Sequence, residues 1–149
     1  MRHLGISNAP VHFVQELHSL VNVRPTVVQS RFRLVRSEYQ ESYDFGLREL
    51  CRKKGIIYQP FWVLKANPHL LKANIVASLA AHFEVSCEQM LYALVASLGD
   101  SVAILNGTTS RANMVEDIAA LKTIGCVPAP VTEAFEHILR QFASALDKQ

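Results

Sequence analysis

Excess charge of either sign is what this 149-residue chain has least of: fifteen Lys and Arg face thirteen Asp and Glu, for a formal net charge of +2. So even a balance gives no field to gather a polyanion. Arg31, Arg33 and Arg36 do cluster, but in a polar connection without interleaved aromatic repeats, and they read as a solvated loop rather than a nucleic-acid surface. Cysteine is scarce as well. Cys51, Cys87 and Cys126 stand too far apart for a CxxC-type zinc site, so they are expected to be reduced structural thiols of a cytoplasmic protein. No apolar run approaches the roughly 18 residues that a membrane helix needs, so no membrane-spanning helix is expected. The opening Met-Arg-His-Leu-Gly leads into a strand pattern rather than a signal peptide. Nor does a GxGxxG follow the first apolar run, so the fingerprint of the doubly wound dinucleotide-binding sheet is missing. With half of its residues hydrophobic, the chain is expected to form a single domain over residues 1–149.

What is present is a strand and helix alternation. Four short apolar runs, residues 3–7, 26–29, 56–61 and 102–105, read as parallel strands covered on both faces, because they are nearly continuous in Val, Ile and Leu. Helical patterns separate them. Pro10 opens one that turns Val14, Leu17 and Val21 to one side. A second starts near Asp44, with Leu47, Leu50 and Cys51 inward, and stops at Lys53 and Lys54 before Gly55, matching the helix dipole and the glycine stop. Asn67-Pro68 caps a third that presents Leu71, Ile75, Leu79 and Phe83, and Ser86 with Gln89 forms a capping box for a fourth. Ser110 caps a helix carrying Met114, Ile118 and Leu121, and Thr132 caps a last one with Phe135, Ile138, Leu139, Phe142 and Leu146 on one side. The expected architecture is α/β with four parallel strands and surrounding helices, the content of half a (β/α)8 barrel.

In parallel α/β folds ligands meet the C-terminal ends of the strands. Here those ends are Ser7-Asn8, Gln29, Phe61-Trp62 and the run 106–110. Ser7, Asn8 and Gln29 offer hydroxyl and amide groups suited to a carboxamide, and Phe61 or Trp62 offers a flat face for a ring. Gly107, Thr108, Thr109 and Ser110 lead into a helix N-terminus, where free N–H groups favour a phosphate. The plainer readings of the same residues are a helix cap, a core aromatic and a turn.

In their joint order these segments resemble the aldo-keto reductases. Arg2-His3-Leu4-Gly5-Ile6-Ser7-Asn8 stands where that family has Arg-x-Ile-Gly-Val-Ser-Asn at its fifth barrel strand. Pro25-Thr26-Val27-Val28-Gln29 is similar to the sixth strand, and Leu50-Cys51-Arg52-Lys53-Lys54-Gly55-Ile56 to the approach to the seventh. Leu105-Asn106-Gly107-Thr108-Thr109-Ser110, with Glu116-Asp117 downstream, is similar to the eighth strand and its cofactor loop. The resemblance implies half of a (β/α)8 TIM barrel, strands five to eight, with NADP as cofactor. It assigns Ser7, Asn8 and Gln29 to the nicotinamide carboxamide, Phe61 to the nicotinamide ring in place of a tyrosine, Thr108 and Thr109 to the adenosine phosphate, and Glu116 and Asp117 to adenine. Where many members grip the 2′-phosphate with Lys and Arg, this chain has Gly107 and Asn113, with Arg111 as the nearest substitute. The choice between NAD and NADP therefore stays open.

The family's catalytic Asp, Tyr, Lys and His belong to its first four strands and have no counterpart here. Tyr39, Tyr43, Tyr58 and Tyr92 lie in no matching motif, and none shows a Lys or His partner in the sequence. The expectation is a truncated aldo-keto reductase-like protein, an oxidoreductase half that keeps nicotinamide dinucleotide binding and is inactive alone. The alternative is a non-catalytic binding or regulatory module, or a half-barrel homodimer closed through exposed sheet edges.

Overall fold

The structure, a computed structural model, describes residues 2–34, 37, 39–146 and 148. Three strands, β1 (Leu4–Ser7), β2 (Pro25–Arg31) and β3 (Ile57–Phe61), form a parallel sheet in the order β1-β2-β3. Helix α1 (Val11–Leu20) joins the first two. A 3-10 turn (Ser42–Asp44) and α2 (Phe45–Lys54) lead to the third, and α3 (Pro68–Leu71), α4 (Asn74–Phe83), α5 (Cys87–Ala96), α6 (Arg111–Ile124) and α7 (Ala129–Leu146) follow it. None of these helices is long and apolar enough to cross a membrane.

The expected fourth strand does not form, and the reason lies in β3. Residues 101–105 run parallel beside β3: the Tyr58 N–H donates to the Ser101 carbonyl, and the Ala103 N–H donates to that of Tyr58. Further along, the Leu105 N–H donates to the Pro60 carbonyl. The reciprocal bond would need an N–H at position 60, which proline lacks. The ladder therefore stops at the single bridge between Tyr58 and Val102.

The sheet is also not covered on both faces. Val28, Ser30, Tyr58 and Pro60 point to one side and are buried. That side forms a core with Val14 of α1, Leu47 and Cys51 of α2, and Ile56. The alternate residues are half-buried or exposed, Ile57 keeping 40% of its surface. A larger core gathers Phe32, Leu70, Val76 and Ala80 around α5, whose residues Met90 to Val95 are all buried, with Phe135 and Leu139 of α7 closing it. Arg48 on α2 ties α7 down through two bonds to the Glu136 carboxylate, at 3.1 and 3.0 Å.

Local signals hold where the cause is local. The Ser86–Gln89 capping box is present, the Ser110 hydroxyl accepts from the Asn113 N–H, and Gly55 ends α2 with φ +66. Asn67 does something else: its side chain is buried and donates to the Phe32 and Val63 carbonyls, and the helix expected after it is split into α3 and α4. Asp44 stands just before α2, as expected, but its side chain makes no capping bond. It sits at φ 52, buried, and accepts the Tyr58 hydroxyl at 2.7 Å. Thr132 lies inside α7, which begins three residues earlier. On α6 the inward stripe is Asp117, Ala120, Leu121 and Ile124, leaving Met114 and Ile118 exposed. Of the cysteines, Cys51 is buried, Cys87 is half-buried and Cys126 is exposed, and all three are free.

Candidate functional site

Two features meet at the C-terminal ends of the strands. The first is a rung across the open face. Parallel register sets Ser7 beside Gln29 and Gln29 beside Gln59, so the three side chains leave the sheet on the same side. The Gln29 amide donates to Gln59 Oε1 at 2.8 Å. With that bond made, Gln29 keeps a carbonyl oxygen and Gln59 keeps an NH2, an acceptor and a donor side by side. Asn8 follows with φ 52, and its side chain donates to the Ser7 hydroxyl at 3.1 Å. Gln29 lies within β2 rather than at its end, because the strand runs on to Arg31.

The next residues up, Arg31 and Phe61, are again in register. The Arg31 guanidinium stands 5.1 Å from the centre of the Trp62 ring and 5.9 Å from that of Phe61. Burial and stacking replace the solvated loop expected for this arginine. Arg33 is half-buried too, and Arg36 lies outside the described residues. Trp62 has φ +60 with 46% of its surface exposed, a conformation that costs a bulky residue roughly 1–3 kcal/mol. Its ring is held edge-on by Phe61 at 5.8 Å, and Lys65 Nζ reaches to 5.8 Å from the ring centre.

The second feature is a cleft of about 840 Å³ that opens from Phe61 and Trp62 toward α5 and α6. This is within the size range of small-molecule and cofactor sites, roughly 300–1,000 Å³. Gly107, Thr108, Glu116 and Asp117 line it with Phe61, so five of the nine residues anticipated from the sequence share one wall or another. Ser7, Asn8, Gln29 and Thr109 do not line it. Thr109 is exposed, and the other three belong to the rung.

The loop before α6 is fixed by its own side chains. Asn106 donates to Asp117 at 2.6 Å and accepts from the Thr108 N–H at 2.8 Å. The Thr108 hydroxyl accepts from the Ser110 N–H, and the Ser110 hydroxyl from that of Asn113. Three N–H groups expected to face a phosphate are therefore already satisfied from within. Gln59, Lys65 and Glu88 were not anticipated as site residues, and Tyr92 was considered only as a proton donor. For Gln59 the signal was there, a polar residue inside an apolar strand run one register step from Gln29.

Among the tyrosines the structure corrects one point. Tyr43 has a histidine partner, its hydroxyl lying 2.6 Å from His69 Nε2. The pair is nonetheless part of the core: Tyr43 is fully buried between Phe32 and Phe45, and burial raises its hydroxyl and lowers the imidazole. Tyr92 lines the cleft, where burial and then the nearby Asp117 carboxylate raise its hydroxyl.

No family model matches the sequence, and no curated protein matches it. Solved structures do. An aldo-keto reductase from a Medee basin deep-sea metagenome library superposes with a TM-score of 0.72 at 15% identity, over 94% of this chain and 47% of that one. The aldose reductase of Giardia lamblia gives 0.71 at 13% identity, over 93% and 45%. An aldo-keto reductase of Bombyx mori in complex with NADP gives 0.71 at 17% identity, over 95% and 44%. In fold the chain is similar to aldo-keto reductases over nearly all of its own length and less than half of theirs.

Proposed function

We propose that the chain is the cofactor-binding half of an aldo-keto reductase-type (β/α)8 barrel, corresponding to strands five to eight, and that it binds a nicotinamide dinucleotide across the rung and the cleft. The observation that carries this reading is the rung: after the Gln29–Gln59 bond, one amide oxygen and one NH2 remain beside each other, the complement of a carboxamide. Phe61 and Trp62 offer ring faces next to it, and the cleft continues from them. A bound dinucleotide would supply hydride transfer. The chain's own residues hold the carboxamide at Gln29 and Gln59, shield one ring face with Phe61, and take the remainder of the molecule between Lys65 and α6.

Carbonyl reduction also needs a proton donor at the substrate, which typically contributes 10² to 10⁴-fold. Tyr92 is the one phenol lining the cleft, and its environment holds the proton on it. The purified chain is expected to bind dinucleotide without reducing common aldehydes. Calorimetric titration beside a turnover assay tests both halves: absence of binding would contradict the cofactor role, and turnover surviving removal of host reductases would contradict the inactivity.

A second reading is favoured by the sheet itself. Among the described residues the outer edge of β1 pairs with no other strand, and Ile57 is exposed on the open face, so a second copy would close the half-barrel. Sedimentation at several concentrations separates a dimer from a monomer.

A further inference from the structure

We infer that the cleft selects a dinucleotide with an unphosphorylated adenosine ribose, NAD over NADP. This rests on the cofactor reading above, which places the carboxamide at the Gln29–Gln59 rung and therefore the adenosine end at the far side of the cleft, against α5 and α6.

Charge is distributed unevenly along that path. The two cations, Arg31 and Lys65, stand beside Trp62, where the central diphosphate would pass. At the far side the lining changes sign: Glu88, Glu116 and Asp117 are there, with the uncharged Gly107, Thr108 and Asn113. A ribose diol can donate to a carboxylate, whereas a 2′-phosphate beside the same group is repelled and needs a guanidinium or ammonium instead. Arg111 is exposed and does not line the cleft. Of the backbone donors near it, the N–H groups of Thr108, Ser110 and Asn113 are already bonded to side chains of the loop. The two observations are independent. One places repulsion where the 2′-phosphate would lie, and the other removes three of the donors that could offset it.

The test is competitive binding to the purified full chain, with NADH, NADPH, adenosine 5′-monophosphate and adenosine 2′,5′-bisphosphate. NADH is expected to bind at least about tenfold more tightly than NADPH, or about 1.4 kcal/mol, and the monophosphate more tightly than the bisphosphate. Glu116 is an exposed helix residue, and Glu116→Lys should narrow or invert both preferences. So should Gly107→Lys, at a position where an added side chain meets open space. Circular dichroism and the thermal transition check that both variants fold. NADPH binding as tightly as NADH, or preferences unmoved by both substitutions, would overturn the inference while leaving the cofactor site standing. Binding of none of the four ligands would overturn the site and the inference together.

Discussion

The two faces of the three-stranded sheet are built from alternate residues of the same strands and share almost no chemistry. Beneath the helices, Val28 and Tyr58 meet Val14, Leu47 and Cys51, and the Asp44 carboxyl in the same layer takes its hydrogen bond from Tyr58. On the other face, Ser7, Gln29 and Gln59 form an amide and hydroxyl rung, with Arg31 and Phe61 above it. One side is organised for burial, and the other carries the polar groups of the proposed site. A single residue of register separates them, so each strand serves stability and the proposed binding through different positions.

Substitutions can sharpen that division. The largest effect is expected from Leu47→Ala under the sheet, about 2–5 kcal/mol of lost stability, against about 1 kcal/mol or less for Ile57→Ala on the open face. Chemical denaturation measures both, and equal losses would break the comparison. Next comes Asp44. Burial raises its carboxyl above the ordinary 3.8, opposed by hydrogen bonds and by Arg48, so the folded chain keeps this proton to higher pH than the unfolded chain does. The stability linked to it is full below about pH 3.8 and is lost as pH rises through the folded value. Relative to Asp44→Asn, the parent should therefore lose stability as pH rises above about 4. An opposite slope would mean that the carboxyl is ionised in its buried setting.

On the open face, Gln29→Ala, Gln59→Ala and Phe61→Ala should leave the fold intact. Each should weaken dinucleotide binding by roughly 0.5–1.5 kcal/mol, about 3–10-fold. The two glutamine changes should be non-additive, because each removes the partner of the other. The smallest expected effect is at Pro60. Pro60→Val restores the missing N–H and should extend the bridge at Val102 into a ladder, seen as slowed exchange of the new amide. Rapid exchange there would show that residues 101–105 are held off β3 by something other than the proline.

How much of this could be read from the chain follows the range of the forces involved. Capping by Ser86, Gln89, Ser110 and Gly55 needs only neighbours, and these positions were legible. The fourth strand was not, because its apolar run is sound while the defect sits more than forty residues earlier, at Pro60. Asp44 and Asn67 read as helix starts by local rules, yet their side chains serve buried partners that only tertiary packing supplies. On α6 the apolar Met114 and Ile118 suggested a stripe that packing against α5 shifted to Ala120, Leu121 and Ile124. The cleft was half legible: Phe61, Gly107 and Thr108 stood at a strand end and in the loop leading into α6, and Glu116 and Asp117 were given by the family resemblance. Lys65, Glu88 and Tyr92 arrive from helices and turns that the strand-end rule does not address.

The chain has one tryptophan, Trp62, and it lines the cleft beside the rung. Its emission therefore reports directly on whether a dinucleotide occupies the open face. Titration with NADH is predicted to give saturable quenching of Trp62 with energy transfer to the dihydronicotinamide, shifted to higher concentration in both Gln29→Ala and Phe61→Ala. Emission that does not saturate, or an affinity unchanged in both variants, would contradict the assignment of the open face as the cofactor site.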